Sequence, residues 1–197
     1  MSKRAILPMR EDGMARKKWS VTECKFLTDN GLLEPGSYEL IEGEIIFKMA
    51  QDQSHIIGTT AAATILTAIF GGMALIHQAN IGIGERDEFN DPEPDIAVVV
   101  GNIRDYKTRR PNPATEVLLL IEIANTSFKG DTTVKAAIYA RHGLREYWVV
   151  AIGNRELIVH RSPTAEGYAD VRTYTIGESV APLARPDSLI AVTDLLP

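Results

Sequence analysis

Cysteine is nearly absent from this 197-residue chain, with Cys24 its single representative. That excludes an internal disulfide framework and a cysteine-rich zinc site, so any bound metal would depend on carboxylates and histidines. Long apolar runs are also missing. The longest are about 7 to 8 residues, against the roughly 20 that a membrane-spanning helix needs. The opening stretch MSKRAILPMREDGMARKKWS has no long apolar region of the kind a secretory signal carries, which predicts a cytoplasmic protein. Internal repeats, low-complexity tracts and linkers are lacking too. The economical organisation is a flexible tail, residues 1–18, followed by one domain, residues 19–197. A net charge of −5 and a pI near 5.4 argue against a protein that coats nucleic acid generally. They leave a metal-dependent enzyme open, because acids clustered around a cation add negative charge of their own.

What the chain does have is 45% hydrophobic and 24% charged residues, the make-up of one globular domain with a real core. Its organising stretch is EVLLLIEIANTSFKGDTTVK, residues 116–135. Val117 to Ile123 reads as a strand buried on both faces of a parallel or mixed sheet, interrupted by one acid, Glu122. An ionised carboxylate in that setting costs several kcal/mol unless a metal, a lysine or a network of donors compensates it. A second acid stands in a similar position upstream, where Pro94-Asp95 opens the run Ile96 to Val100. Two strands that each carry an acid at one end define a candidate site.

The rest of the chain supplies the frame. Ser20-Val21-Thr22-Glu23 fits a capping box before a short helix ended by Gly31, with Cys24, Phe26 and Leu27 expected in the core. Tyr38 to Phe47 reads as two strands around a Glu42-Gly43 turn. In that register Ile41 faces Glu44 and Glu39 faces Ile46, so both glutamates share one side. Residues 51–70 give a helix, with Ile57, Ala61, Ile65 and Ile69 at helical spacing and Gly71-Gly72 as its stop. His55 falls in the first turn, where it either caps the surface or points into a cleft. Ala74 to Ile83 reads as a strand and residues 84–93 as a polar turn. Arg104, Lys107, Arg109 and Arg110 lie in a loop that is either solvated or in contact with phosphate. Asp131 can cap a helix from Thr132 to His142, and Asp131 with Lys135, four apart, reads as a plain surface ion pair unless Lys135 serves a site. Strands are expected at Glu146 to Ile152, Glu156 to Arg161, Tyr168 to Ile176 and Ser188 to Leu196.

Hydrolysis of a phosphodiester needs an activated water and relief of the charge that builds on the phosphate. A divalent ion held by carboxylates can supply both, and a nearby lysine can orient or deprotonate the water or stabilise the anion. Asp95 and Glu122 would give a hard ion two oxygen ligands, with waters in its other positions, and Lys135 would be the cation. Acids at strand ends followed by a lysine one helix later are common in α/β proteins, so this set alone has low specificity.

The ordered series is more specific. Tyr38 to Glu44, His55, Pro94-Asp95, Ile121-Glu122-Ile123-Ala124-Asn125, Asp131 with Lys135 and Tyr139, and Gly143 to Trp148 together resemble the Uma-type restriction endonucleases of the PD-(D/E)XK nuclease superfamily, over roughly residues 20–195. The resemblance implies an α/β fold: a restriction-endonuclease-like core, its mixed β-sheet flanked by α-helices, with an additional N-terminal hairpin and C-terminal strands. It implies Asp95 and Glu122 as ligands of Mg²⁺ or Mn²⁺, and Glu44 or Glu39 as the acid of an upstream motif. His55 would line the cleft with them. In the wider superfamily a lysine stands two residues after the strand acid, where this chain has Ala124. The resemblance accounts for that by moving the lysine to the helix, as Lys135. Asn125 replaces a frequent serine. The implied activity is cleavage of DNA, with a homodimer pairing two sites. The alternatives are a nuclease-fold protein that binds nucleic acid or a protein partner without cutting, and a hydrolase of smaller phosphate esters.

Overall fold

Alternation along the 116–135 stretch decides the architecture. In a computed structural model that describes residues 16–71, 74–78 and 80–197, Val117–Ala124 forms strand β5, buried along nearly its whole length. Leu119, Ile121 and Ile123 point into one hydrophobic core, while Leu120 and Ala124 point into a second on the opposite face. Glu122 lies between Leu120 and Ala124 in this alternation, so it shares their face.

The strands before β5 are β1 (Tyr38–Ile41), β2 (Glu44–Phe47), β3 (Ala74–His77) and β4 (Ile96–Val99). After it come β6 (Glu146–Ala151), β7 (Glu156–Pro163), β8 (Tyr168–Thr175), β9 (Ser179–Val180) and β10 (Ile190–Ala191). Six of them make one mixed sheet in the order β3-β4-β5-β6-β7-β8. Only β5 and β6 pair in parallel, and the crossover between them is a helix. That helix, α3, runs without a break through Phe128–Gly130, a wide π-helical turn at Asp131–Lys135, and Ala136–Arg141. It starts earlier than the expected Thr132. Asp131 is therefore inside the helix, not at its cap.

The two faces of the sheet are covered by different helices. Helix α2 (Gln53–Phe70) lays Gly58, Ala62, Leu66 and Phe70 toward the sheet, and α4 (Val192–Leu195) adds Val192 and Leu195 to the same core. The buried stripe of α2 lies one residue beyond the expected one, and Ile57 is exposed. Gly58 is the reason: its missing side chain lets β5 approach, so that a Cβ there would meet Ile123 Cγ2 at 3.0 Å. On the other face α3 contributes Ala136, Ile138 and Tyr139.

Helix α1 (Val21–Asp29) has the expected reciprocal capping box between Ser20 and Glu23, and Cys24 is buried. Phe26 is exposed instead of joining the core. The β1–β2 hairpin has the expected register, Ile41 opposite Glu44 and Glu39 opposite Ile46. Glu42 and Gly43 both take positive φ at its turn. The hairpin is pinned to the 87–93 loop by Gly43 N–H donating to Phe89 O at 2.8 Å and Asp91 N–H to Leu40 O at 2.8 Å.

Several expectations change. Residues 1–15 of the expected tail and Gly72 lie outside the described residues. The end of that tail is docked: Lys17 bonds Glu23 and Trp19 N–H donates to Gly43 O at 2.8 Å. The strand expected from Ala74 to Ile83 ends at His77, and Ile81 and Ile83 enter the core from a loop. The stretch from Ser188 to Leu196 folds as the two-residue β10 followed by α4, because Val192 and Leu195 are buried at helical spacing. In the basic loop Arg109 grips Glu116 with two bonds of 2.7 Å and stacks on Tyr106, while Arg110 pairs with Asp91. These internal ion pairs commit two of its four cations.

Candidate active site

The pairing of β4 with β5 places the two strand acids. Ile96 is opposite Ile121 in an antiparallel register, so one step further out Asp95 stands beside Glu122. Both are buried at the same end of the sheet. Asp95 Oδ2 accepts the Ile123 N–H at 2.8 Å, and Asp95 N–H reaches Glu122 Oε2 at 3.4 Å.

Lys135 arrives from the helix. Its Nζ lies 3.0 Å from Glu122 Oε1, 3.0 Å from a Glu39 oxygen and 3.6 Å from Asp131 Oδ1. One helical turn on, the Tyr139 hydroxyl donates to the same Glu122 Oε1 at 3.0 Å. Residues 131, 135 and 139 recur every four positions, so they share one helix face, and that face covers Glu122. The Asp131–Lys135 pair is thus buried, which decides against the surface pair that the sequence also allowed. Glu39 is also fixed by the Glu93 N–H, which its Oε1 accepts at 2.7 Å.

His55 comes from the start of α2, and its Nε2 lies 3.1 Å from Asp95 Oδ2. Asp52 caps that helix by accepting the His55 N–H at 2.8 Å, and also accepts Asn125 Nδ2 at 2.7 Å. The start of α2 is thereby tied to the end of β5. Asn125, in place of the frequent serine, has a structural partner of its own.

Electrostatics follow from four acids and one lysine in a confined volume. Burial pushes the Glu122 carboxyl well up, and Lys135 offsets only part of that against the charges of Asp131, Asp95 and Glu39. Asp131 is pushed up for the same reason. Burial pulls Lys135 down, but Glu122, Glu39 and Asp131 overcome it and hold the ammonium above its ordinary range. The hydrogen bond to Asp95 raises His55, against its partial burial.

Glu39, Asp95, Glu122, Lys135 and His55, five of the six residues expected at the site, line one cleft of about 620 Å³. Glu44 does not. It shares the face of Glu39 but stands two positions nearer the hairpin turn, about 7 Å further along the strand, and is exposed. Sequence reasoning did not count Asp52, Tyr139, Asp131, Glu93 or Lys48 among the site residues. Tyr139 and Asp131 had a signal, their four-residue spacing from Lys135. Among the described residues no group of three or more His, Cys, Asp or Glu forms a metal cage. Asp95 Oδ1 receives no donor among the described residues, and Glu122 Oε2 receives one at long range. Two hard carboxylate oxygens are left for a ligand.

A mixed sheet covered by helices on both faces, with paired strand acids and a lysine at one end, is the arrangement of a restriction-endonuclease-like nuclease fold. A family model described as "Uma2: Putative restriction endonuclease" matches residues 31–192, and the chain belongs to that family. The solved structures include a "putative nuclease belonging to DUF820" from Anabaena variabilis, similar in fold with a TM-score of 0.61 at 17% identity, over 85% of this chain and 94% of that one. No curated protein matches the chain. No helix among the described residues is long and apolar enough to cross a membrane.

Proposed function

We propose that this protein is a metal-dependent endonuclease that hydrolyses DNA phosphodiester bonds. The observation that carries the reading is the Lys135 ammonium 3.0 Å from Glu122, delivered by α3 to the neighbourhood that Ala124 leaves without a lysine. Family membership supports a nuclease, and the donor chemistry supports the metal. Asp95 and Glu122 present hard oxygens in a site where acids outnumber cations, which suits Mg²⁺ or Mn²⁺ completed by water. Asp95 and Glu122 would hold the ion, and when bound it would supply an activated water and offset phosphate charge.

The remaining work falls to the chain itself. Lys135, ringed by carboxylates, is a hydrogen-bond donor and point charge, suited to orient a water or stabilise a developing anion. Tyr139 fixes Glu122 Oε1 and leaves Oε2 toward the cleft. His55 and the Ile123 amide both hold Asp95 Oδ2, which orients Oδ1. Glu39 and Asp131 keep Lys135 charged and in place. Cutting both strands would use a second copy, and sedimentation at working concentration tests that homodimer. Supercoiled plasmid incubated with Mg²⁺ or Mn²⁺ tests the activity: nicking or linearisation abolished by Asp95→Ala supports the endonuclease. Binding without cleavage would instead make the chain a nuclease-fold binding protein.

A further inference from the structure

Three large apolar residues that line the cleft stand open to solvent. Ile46 is 44% exposed, Phe47 64% and Met49 85%, and all three line the cavity that holds Glu39, Asp95, Glu122 and Lys135. They belong to β2 and the residues just after it. Ile46 sits across the hairpin from Glu39, the carboxylate that bonds Lys135, so this apolar lining begins one side chain from the acids. Isolated exposed apolar residues need no explanation, but three that line one functional cleft point to a ligand.

The charges in the cleft narrow the class of ligand. Its lining includes six acids, Glu39, Asp52, Glu93, Asp95, Glu122 and Asp131. Its two lysines are already engaged, Lys48 with Glu93 and Lys135 with Glu39 and Glu122. A nucleic acid normally gains affinity from lysines and arginines that neutralise its phosphates, and these walls offer little of that. Beyond what the bound metal would contribute, affinity has to come from an uncharged part of the polymer. Aromatic side chains stack on nucleobases whatever their identity, and a methionine thioether adapts to the edge of a ring. In a paired duplex the ring faces are covered by their neighbours, whereas an unpaired base can be drawn out at the least cost.

We propose that Phe47 and Met49 form a nucleobase-stacking subsite, and that the protein prefers a strand with an unpaired base beside the scissile phosphate. This rests on the endonuclease reading and adds the substrate's structure to it. The test uses a fluorescently labelled duplex with one bulged 2-aminopurine, the same duplex fully paired, and the matching single strand, each with Mn²⁺. The intact protein is expected to cut the bulged and single-stranded forms at least about tenfold more efficiently than the paired duplex, and to change the 2-aminopurine emission on binding. Phe47→Ala, paired with Met49→Ala, is expected to bring that preference down roughly tenfold, and Phe47→Trp to keep it. Both sites are exposed, so an unchanged thermal midpoint separates this effect from misfolding. Equal cutting of paired and bulged duplexes by the intact protein, or a preference untouched in the alanine variant, overturns the subsite while leaving the nuclease intact. If no substrate is cut, the endonuclease reading falls and the subsite with it.

Discussion

Lys135 Nζ stands 3.0 Å from both Glu39 and Glu122, one ammonium joining hairpin β1–β2, strand β5 and helix α3 across 96 positions of sequence. Buried ions of this kind matter most when one partner is removed, since the others are left uncompensated. Lys135→Met should therefore lower stability by about 3 kcal/mol in urea denaturation. Glu39→Gln in that background should recover part of the loss, because it relieves one of the stranded charges. A double variant no more stable than Lys135→Met alone would contradict the shared network.

His55 is raised by its bond to Asp95 above the ordinary histidine value of 6.5. A raised folded-state value contributes stability that is fully present below pH 6.5 and lost as pH rises through the folded-state value. The destabilisation caused by His55→Gln should accordingly be larger at pH 5.5 than at pH 8.5. Imidazole NMR titration in chelator should find His55 above 6.5, and Asp95→Asn should bring it down.

His160 behaves oppositely. It is buried against Tyr147 and Tyr168, its Nδ1 finds no hydrogen-bond partner among the described residues, and burial lowers it to about 4. The neutral ring is favoured in the folded chain, so its contribution is present above pH 6.5 and lost as pH falls toward 4. His160→Phe keeps the ring and removes the stranded nitrogen, which should stabilise the protein by about 1 kcal/mol at neutral pH. It should also flatten the loss of stability between pH 6.5 and 4. Thermal melts across that range would show it.

Much of this site was legible before the fold was known, for identifiable reasons. An acid inside the apolar run Val117 to Ile123 has few physical outcomes, so Glu122 marked itself, and Asp95 followed from a second strand with an acid at its mouth. The hairpin register came from alternation and a Glu-Gly turn. What the chain did not reveal was depth. Asp131 and Lys135 four apart read equally well as a surface pair, and only the packing of α3 on β5 buries them. Glu39 and Glu44 share a face, and nothing local says which one reaches the cleft. The buried stripe of α2 was misjudged because Gly58, which carries no hydrophobic signal, sets the closest approach to Ile123.

That approach gives a further prediction. Gly58→Val would drive side-chain atoms into Ile123 Cγ2, already 3.0 Å from a Cβ placed there. Overpacking of this kind costs about 1–3 kcal/mol. Because the Ile123 amide also holds Asp95, cleavage should fall by more than the loss of folded protein explains. Comparing the rate per folded molecule with the urea midpoint separates the two effects.

Plasmid cleavage by the intact protein beside Asp95→Ala, Glu122→Ala and Lys135→Ala, purified in parallel and assayed with Mg²⁺ or Mn²⁺, tests the endonuclease most directly. Nicking or linearisation by the intact protein, lost in chelator and in all three variants, is the predicted result. Cleavage that survives in Lys135→Ala would contradict the role given to the helix lysine, and an intact protein that leaves plasmid uncut with either metal would contradict the endonuclease itself.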